Sequence, residues 1–277
     1  MFWKKHTPHY GNWRVIAVLA FAVTLVINEL AATTVLLGGS TIAAVSDSYA
    51  NLFAPSGVTF SIWSVIYVLL ALYLLSTYGV LRARKHPVKP AHEVTILKLF
   101  ALTSVLNTCW MLAWQYRVIW LSVLLMIGLL VSLKRIHNLL DHTQYDVPSF
   151  VTTRLPFSIY LGWISVATVA NITVWMVSIN WDGFGLRPGI WMVLVVLAAA
   201  TIGIINALRS RDWAYLAVFV WAFAGILARH LSGSGFNGRY PSTIGALEIV
   251  LAVCIIIVIY LAARYPRGSD KSGKLLA

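Results

Sequence analysis

The chain has 277 residues, 60% of them apolar and 11% charged, with a mean hydropathy of +0.81. Soluble domains carry about 25% charged and 45–50% apolar residues, so this composition excludes a soluble enzyme with an ordinary core, a disordered chain and a disulfide-rich secreted protein. The 21 Lys+Arg against 9 Asp+Glu give a net charge of +12, a balance found in nucleic-acid binders and in membrane proteins whose cytoplasmic loops collect bases.

A membrane-spanning helix needs about 20 mostly apolar residues. Eight such runs stand out, at about 13–37, 58–81, 94–114, 117–137, 154–178, 189–208, 212–231 and 243–263. A membrane β-barrel is excluded, since its strands are about 10 residues long and alternate in polarity. The expected fold class is all-α, a polytopic membrane helix bundle of about eight transmembrane helices. The first run follows Lys4 and Lys5 and outlasts the 7–15 apolar residues of a signal peptide, so it reads as a retained helix. The loop at 38–57 carries Tyr49, Leu52 and Phe53 among polar residues, which predicts a segment packed over the helix ends. In the second run Phe60, Trp63 and Tyr67 share one helical face. In the third, Thr103, Asn107, Trp110 and Trp114 do the same, and in the fifth so do Pro156, Tyr160, Trp163, Ala167 and Asn171. The sixth run has a small-residue stripe, Ala199, Gly203 and Ala207, that allows close approach of another helix of this chain or of a second subunit. Residues 232–242 read as a flexible loop.

The basic residues fix a sidedness. With the N-terminus in the cytoplasm, seventeen of the 21 bases fall on cytoplasmic segments, and only Arg117, Arg187, Arg229 and Arg239 lie outside. Both termini are therefore expected in the cytoplasm, and the net charge needs no nucleic-acid partner. Interfacial positions account for Trp13 and Trp213 on the inner side and Trp114, Trp120, Trp181 and Trp191 on the outer side. Trp63, Trp110, Trp163, Trp175 and Trp221 lie within the runs and should face other helices or a cavity, because a buried indole N–H needs a partner. Glu29, Glu248 and Arg229 are intramembrane charges, which are costly and mark functional candidates. Arg229 and Glu248 could pair across adjacent helices, or the two acids could couple transport to cations or protons. Cys109 and Cys254 sit in apolar runs and read as small hydrophobes. No catalytic set or metal-spaced Cys/His cluster is present, so the chain reads as a non-enzyme without a metal. His6, His9, His86, His92, His137, His142 and His230 form no His-x-x-x-His pair within a run; a tetrapyrrole here would stack on Trp rather than be ligated through iron. Asp141 and His142 read as solvated.

The stretch Tyr49, Leu52, Pro55, Phe60, Trp63, Tyr67, then Leu106, Asn107, Trp110, then Pro156, Phe157, Trp163, Ala167, Asn171 resembles the TspO/MBR family of translocator or tryptophan-rich sensory proteins. The stretch PFSIYLGWISVATVAN is similar to a longer, eight-helix branch of it. Ser48 stands where the family usually has Trp. The resemblance covers about residues 13–180 and implies a cytoplasmic tail at 1–12, a five-helix membrane domain at 13–180, a three-helix extension at 181–264 and a basic cytoplasmic tail at 265–277. It further implies an apolar pocket closed by the first loop and lined by Phe60, Trp63, Asn107, Trp110, Trp163 and Ala167, with Tyr67, Tyr160 and Asn171 on the same stripes. In the family such a pocket takes porphyrins, or sterols and drugs in mitochondrial relatives. The expected function is thus binding of a hydrophobic or tetrapyrrole-like small molecule in a sensory or regulatory role, in a bacterial inner (cytoplasmic) membrane. A small-molecule permease and an accessory subunit of a homodimer or larger membrane complex are the alternatives.

Overall fold

The computed structural model describes residues 8–49, 51–80, 88, 90–141 and 145–264. The expected bases Lys4, Lys5, Arg82, Arg84, Lys85, Lys89, Arg267, Lys271 and Lys274, the histidines His6, His86 and His142, and the tail at 265–277 lie outside these residues.

In chain order the helices are α1 (Pro8–Thr33), the short α2 (Ile42–Ser48), α3 (Ile62–Thr77, entered through a 3-10 turn at Gly57–Ser61), α4 (Pro90–Gln115), α5 (Ile119–Asp141), the short α6 (Val147–Ser149), α7 (Leu155–Ser178), α8 (Pro188–Ser210), α9 (Trp213–Leu231) and α10 (Pro241–Ala263). All but α2 belong to the eight spans long and apolar enough to cross a membrane, with α6 forming the start of the fifth, and among the described residues there is no strand. The protein is a polytopic all-α membrane bundle.

Local chemistry sets the helix limits. Proline opens α4, α8 and α10, where its fixed φ suits the first turn and its missing N–H is no loss. Arg117, at a φ of 57°, turns the chain between α4 and α5, so the two helices pack as an antiparallel hairpin. Arg211 closes α8 in the left-handed conformation, and the Asp212 carboxylate then accepts the Tyr215 N–H as the cap of α9. The expected tail at 1–12 is helical from Pro8 onward, and the fifth span starts earlier than 154, with a π-helical turn at Phe150–Arg154. Such a turn carries one extra residue and rotates the helix beyond it; here Thr152, Thr153 and Arg154 are all buried.

The packing runs α1 on α4, α4 on α5, α5 on α7, α7 on α9 and α9 on α10, with α3 against α7 and α8 against α10. Two glycines permit the close crossings on α9. A Cβ at Gly162 of α7 would sit 2.7 Å from the Tyr215 carbonyl oxygen, and one at Gly203 of α8 would sit 2.6 Å from the Phe219 ring. The Ala199, Gly203, Ala207 stripe is therefore filled by a helix of this chain.

Several side chains lie elsewhere than expected. Trp175 and Trp221 are exposed on the bundle surface, at 37% and 42%, although the Trp221 indole donates to the Thr59 carbonyl over 2.9 Å. Trp114, expected at the interface, is buried. Glu248 is exposed while its neighbour Leu247 is fully buried; a helix turns about 100° per residue, so the acid points away from the core and from Arg229. Arg229 pairs instead with Asp47 at 3.1 Å. Glu29 is also exposed. Residues 232–240 are folded back rather than loose, with Phe236 against His230 at 4.7 Å between rings.

Candidate ligand-binding site

The three aromatic stripes meet between the N-terminal half of α3, the C-terminal half of α4 and the N-terminal half of α7. Trp63 is their centre. Its ring stacks on Tyr67 at 5.4 Å and on Trp110 at 6.3 Å, and meets Trp163 edge-on at 6.2 Å and Tyr160 at 6.0 Å. Trp110 stacks in turn on Trp114 at 6.0 Å, and Phe60 meets Trp163 at 6.1 Å. Such geometries suit the ring quadrupoles and each contributes about 0.5–1.5 kcal/mol beyond burial.

Above this cluster lies a small cavity of about 60 Å³. Phe60, Trp63, Trp110, Trp163, Ala167 and Asn171 line it, as expected from the stripes, and Trp114 joins them. Ala167 and Ala170 leave the space that larger side chains on α7 would fill. Tyr67, Asn107 and Tyr160 are not on its wall; they support it from one layer deeper. The Tyr67 hydroxyl accepts from Asn28 Nδ2 at 2.6 Å and from Asn107 Nδ2 at 3.5 Å.

The polar groups divide by whether the fold uses them. Asn171 Oδ1 accepts from the Trp110 indole at 3.1 Å and from the Ser122 hydroxyl at 3.0 Å, while its Nδ2 donates to the Ala167 carbonyl. Asn171 thus orients Trp110 across the bundle. Trp163 is different. Its ring is 4% exposed, it lines the cavity, and its Nε1 is buried with no hydrogen-bond partner. Asn107 Oδ1 is likewise buried without a partner. A buried donor left unpaired costs about 1–3 kcal/mol, so an acceptor placed in the cavity is favoured.

The roof is the first loop. Asn51, Phe53, Ala54 and Pro55 cover the cavity, and Phe53 is 1% exposed. The loop is tied to α4 at one end: Gln115 Nε2 donates to the Ala31 and Ser40 carbonyls at 3.1 Å each, and the Trp114 indole to the Ile42 carbonyl at 3.4 Å. Gly38, at a φ of +66°, lies where any Cβ would strike the Gln115 carbonyl. At its other end the loop is held by α9, a helix the aromatic stripes did not implicate. The Ser56 N–H donates to the Gly225 carbonyl at 3.0 Å. Arg229 donates to the Pro55 carbonyl at 3.3 Å and to Asp47 at 3.1 Å, and His230 Nε2 lies 3.0 Å from the Leu52 carbonyl. A Cβ at Gly225 would run into Thr59, so glycine is what lets α9 approach.

A second, open pocket of about 410 Å³ lies beside the roof. Trp181 and Trp191, expected as interfacial belt residues, line it together with Met176, Met192, Phe236 and Tyr240. It shares Asn51 and Phe53 with the inner cavity.

At the opposite end of the bundle the structure assembles a charged cluster that sequence spacing did not show. His137 (0% exposed), Arg154 (6%) and Asp212 (4%) are buried together. His137 Nε2 lies 2.7 Å and Arg154 Nη2 3.4 Å from Asp212 Oδ2, and the Ser158 hydroxyl donates to the same oxygen. Burial pushes the Asp212 carboxyl up, but the His137 hydrogen bond and charge, the Arg154 charge and the Ser158 hydrogen bond outweigh it, leaving the carboxyl lowered to about 2. Arg154 and His137 were expected as ordinary cytoplasmic bases; the π-helical turn brings the first of them inside. Among the described residues no group of three or more His, Cys, Asp or Glu is placed to hold a metal ion.

No curated protein and no solved structure matches this chain. The family described as TSPO-like protein matches over residues 14–263, through all eight spans and well beyond the residues 13–180 covered by the motifs. With that match running along both the aromatic bundle and the helices that hold its roof, the chain belongs to the TSPO-like protein family.

Proposed function

We propose that the protein binds a hydrophobic, planar small molecule of tetrapyrrole-like type in the cavity beneath the first loop, as a sensor or regulator rather than a catalyst. The observation that carries this reading is the unpartnered Trp163 indole N–H at a cavity lined by the Phe60, Trp63, Trp110 and Trp114 rings and by small and aliphatic residues. Stacking on Trp63 and Trp110 would supply affinity, and an acceptor such as a carboxylate would supply the missing partner for Trp163. Favouring a sensory role, the roof is held by α9; a ligand that moves the roof changes what α9 touches. The protein would sit in a bacterial cytoplasmic membrane with both termini inside, in line with seventeen of the 21 bases on that side.

The test is quenching of tryptophan emission by protoporphyrin IX, using the full chain purified in detergent. Trp163→Phe keeps a ring and loses only the donor, and should weaken the apparent Kd by roughly tenfold, the worth of one hydrogen bond to a charged acceptor. Trp175→Phe, on the lipid-facing surface, should leave the Kd unchanged. Equal affinity in wild type, Trp163→Phe and a cavity-filling Ala167→Trp variant would remove the cavity as the site.

A further inference from the structure

The inner cavity and its expected ligand class disagree in size. A volume of about 60 Å³ has room for a handful of waters, whereas small-molecule sites run to roughly 300–1,000 Å³. The ligand-sized space is the neighbouring open pocket, at about 410 Å³. Its walls are largely apolar: the Trp181 and Trp191 rings, 4.7 Å apart at 71°, together with Met176, Met192, Phe236 and Tyr240. It is built where α8 and the 232–240 turn meet the C-terminal end of α7, so the C-terminal extension supplies part of its wall.

What separates the two spaces is thin. Asn51 and Phe53 are on the wall of both, and they belong to a short non-helical turn rather than to a helix. Among the described residues, the turn's own hydrogen bonds include the Phe53 N–H on Asn51 Oδ1 at 3.0 Å and Asn51 Nδ2 on the Tyr49 carbonyl at 3.0 Å, and the Phe53 ring packs into the core. Its link to α7 is a long contact of 3.4 Å from the Thr173 hydroxyl, and its link to α9 is the His230 ring on the Leu52 carbonyl. The rest of the roof is anchored more heavily, through Ser56, Pro55 and Asp47 to α9 and through Ser40 and Ile42 to α4. A displacement at Asn51–Phe53 would therefore join the pockets while leaving both anchors in place.

We propose that the outer pocket is the port of the protein: a planar apolar molecule lodges between Trp181, Trp191 and the two methionines, then passes to the aromatic cavity as the Asn51–Phe53 turn moves aside. The ligand class rests on the function proposed for the inner cavity; the route does not.

The route is tested by thiol accessibility on the full chain in detergent. With Cys109→Ser and Cys254→Ala as background, Ala170→Cys places a thiol on the inner cavity wall, and N-ethylmaleimide is the probe. Adding Met192→Trp or, separately, Leu186→Trp fills the outer pocket without touching the inner one. Each should slow labelling at least tenfold while leaving the melting temperature and helical circular dichroism near those of the background. Labelling at the background rate in both filled variants would overturn the route, and would mean that the roof opens directly to the outside or that the outer pocket merely holds lipid chains. Protoporphyrin IX tests the ligand separately. Its association and dissociation rates should both fall at least tenfold in the filled variants, because a blocked port slows entry and exit alike. If protoporphyrin IX fails to bind wild type while maleimide labelling still depends on the outer pocket, the ligand reading falls and the port stands.

Discussion

At the scale of single residues, buried polar groups such as Asn171 and Asp212 are tied into the fold, whereas the Trp163 indole N–H at the cavity is left without a partner. Asn171 is tied, holding the Trp110 indole and the Ser122 hydroxyl at once. Asn171→Leu should strand both donors and destabilise the bundle by about 2–3 kcal/mol, read as a lower melting temperature. Asp212 is tied still more firmly, between His137, Arg154 and Ser158. Its carboxyl titrates at about 2 in the folded chain and near 3.9 in an unfolded one. The stabilisation is therefore complete above about pH 5 and is lost as the pH falls through 4 toward 2, on the order of 2 kcal/mol in all. Wild type should lose melting temperature over that interval, and Asp212→Asn, already destabilised at pH 7 by loss of the carboxylate that His137, Arg154 and Ser158 share, should show a much flatter acid limb. The stripe residues were legible because helical spacing displays them. This cluster was not, since its members come from three different parts of the chain and one of them is turned inward by a π-helical turn that no residue pattern announces.

Between elements, small residues decide what can come close. Gly162, Gly203 and Gly225 sit at the crossings of α9 with α7, with α8 and with the 3-10 turn before α3. Gly203→Leu should force α8 away from Phe219 and cost about 1–3 kcal/mol by overpacking. Gly225→Leu acts differently, because its side chain would enter the space of Thr59 beside the Ser56–Gly225 hydrogen bond. It should loosen the roof and raise hydrogen exchange at residues 51–56 by roughly tenfold, with little change on α4. The three aromatic stripes predicted which faces of α3, α4 and α7 turn inward, for the physical reason that wide apolar rings with polar neighbours are costly to leave against lipid. The roof's attachment to α9 could not be seen this way, since it runs largely through backbone carbonyls at Leu52, Pro55 and Gly225, which every sequence possesses.

For the whole molecule, eight spans return the chain to the side on which it began. The proposed orientation predicts that a cysteine placed at Ser234 reacts with a membrane-impermeant maleimide in intact cells, and one at Ser272 only after the membrane is opened. The reverse pattern would invert the orientation. Composition and run length were enough for the class of molecule and the number of spans, because the bilayer is a uniform solvent that imposes the same length and polarity on every span. Helical period placed Phe60, Trp63, Trp110, Trp163, Ala167 and Asn171 on shared faces, but not Phe53, Ala222 or Ile226, which also line the cavity. Only the tertiary structure decided that the C-terminal helices complete the site rather than sit beside it, that the roof is held by α9, and that the ligand-sized space lies outside the aromatic cluster. Those features depend on where loops and helix ends meet in space, and a period along one helix carries no information about its neighbour.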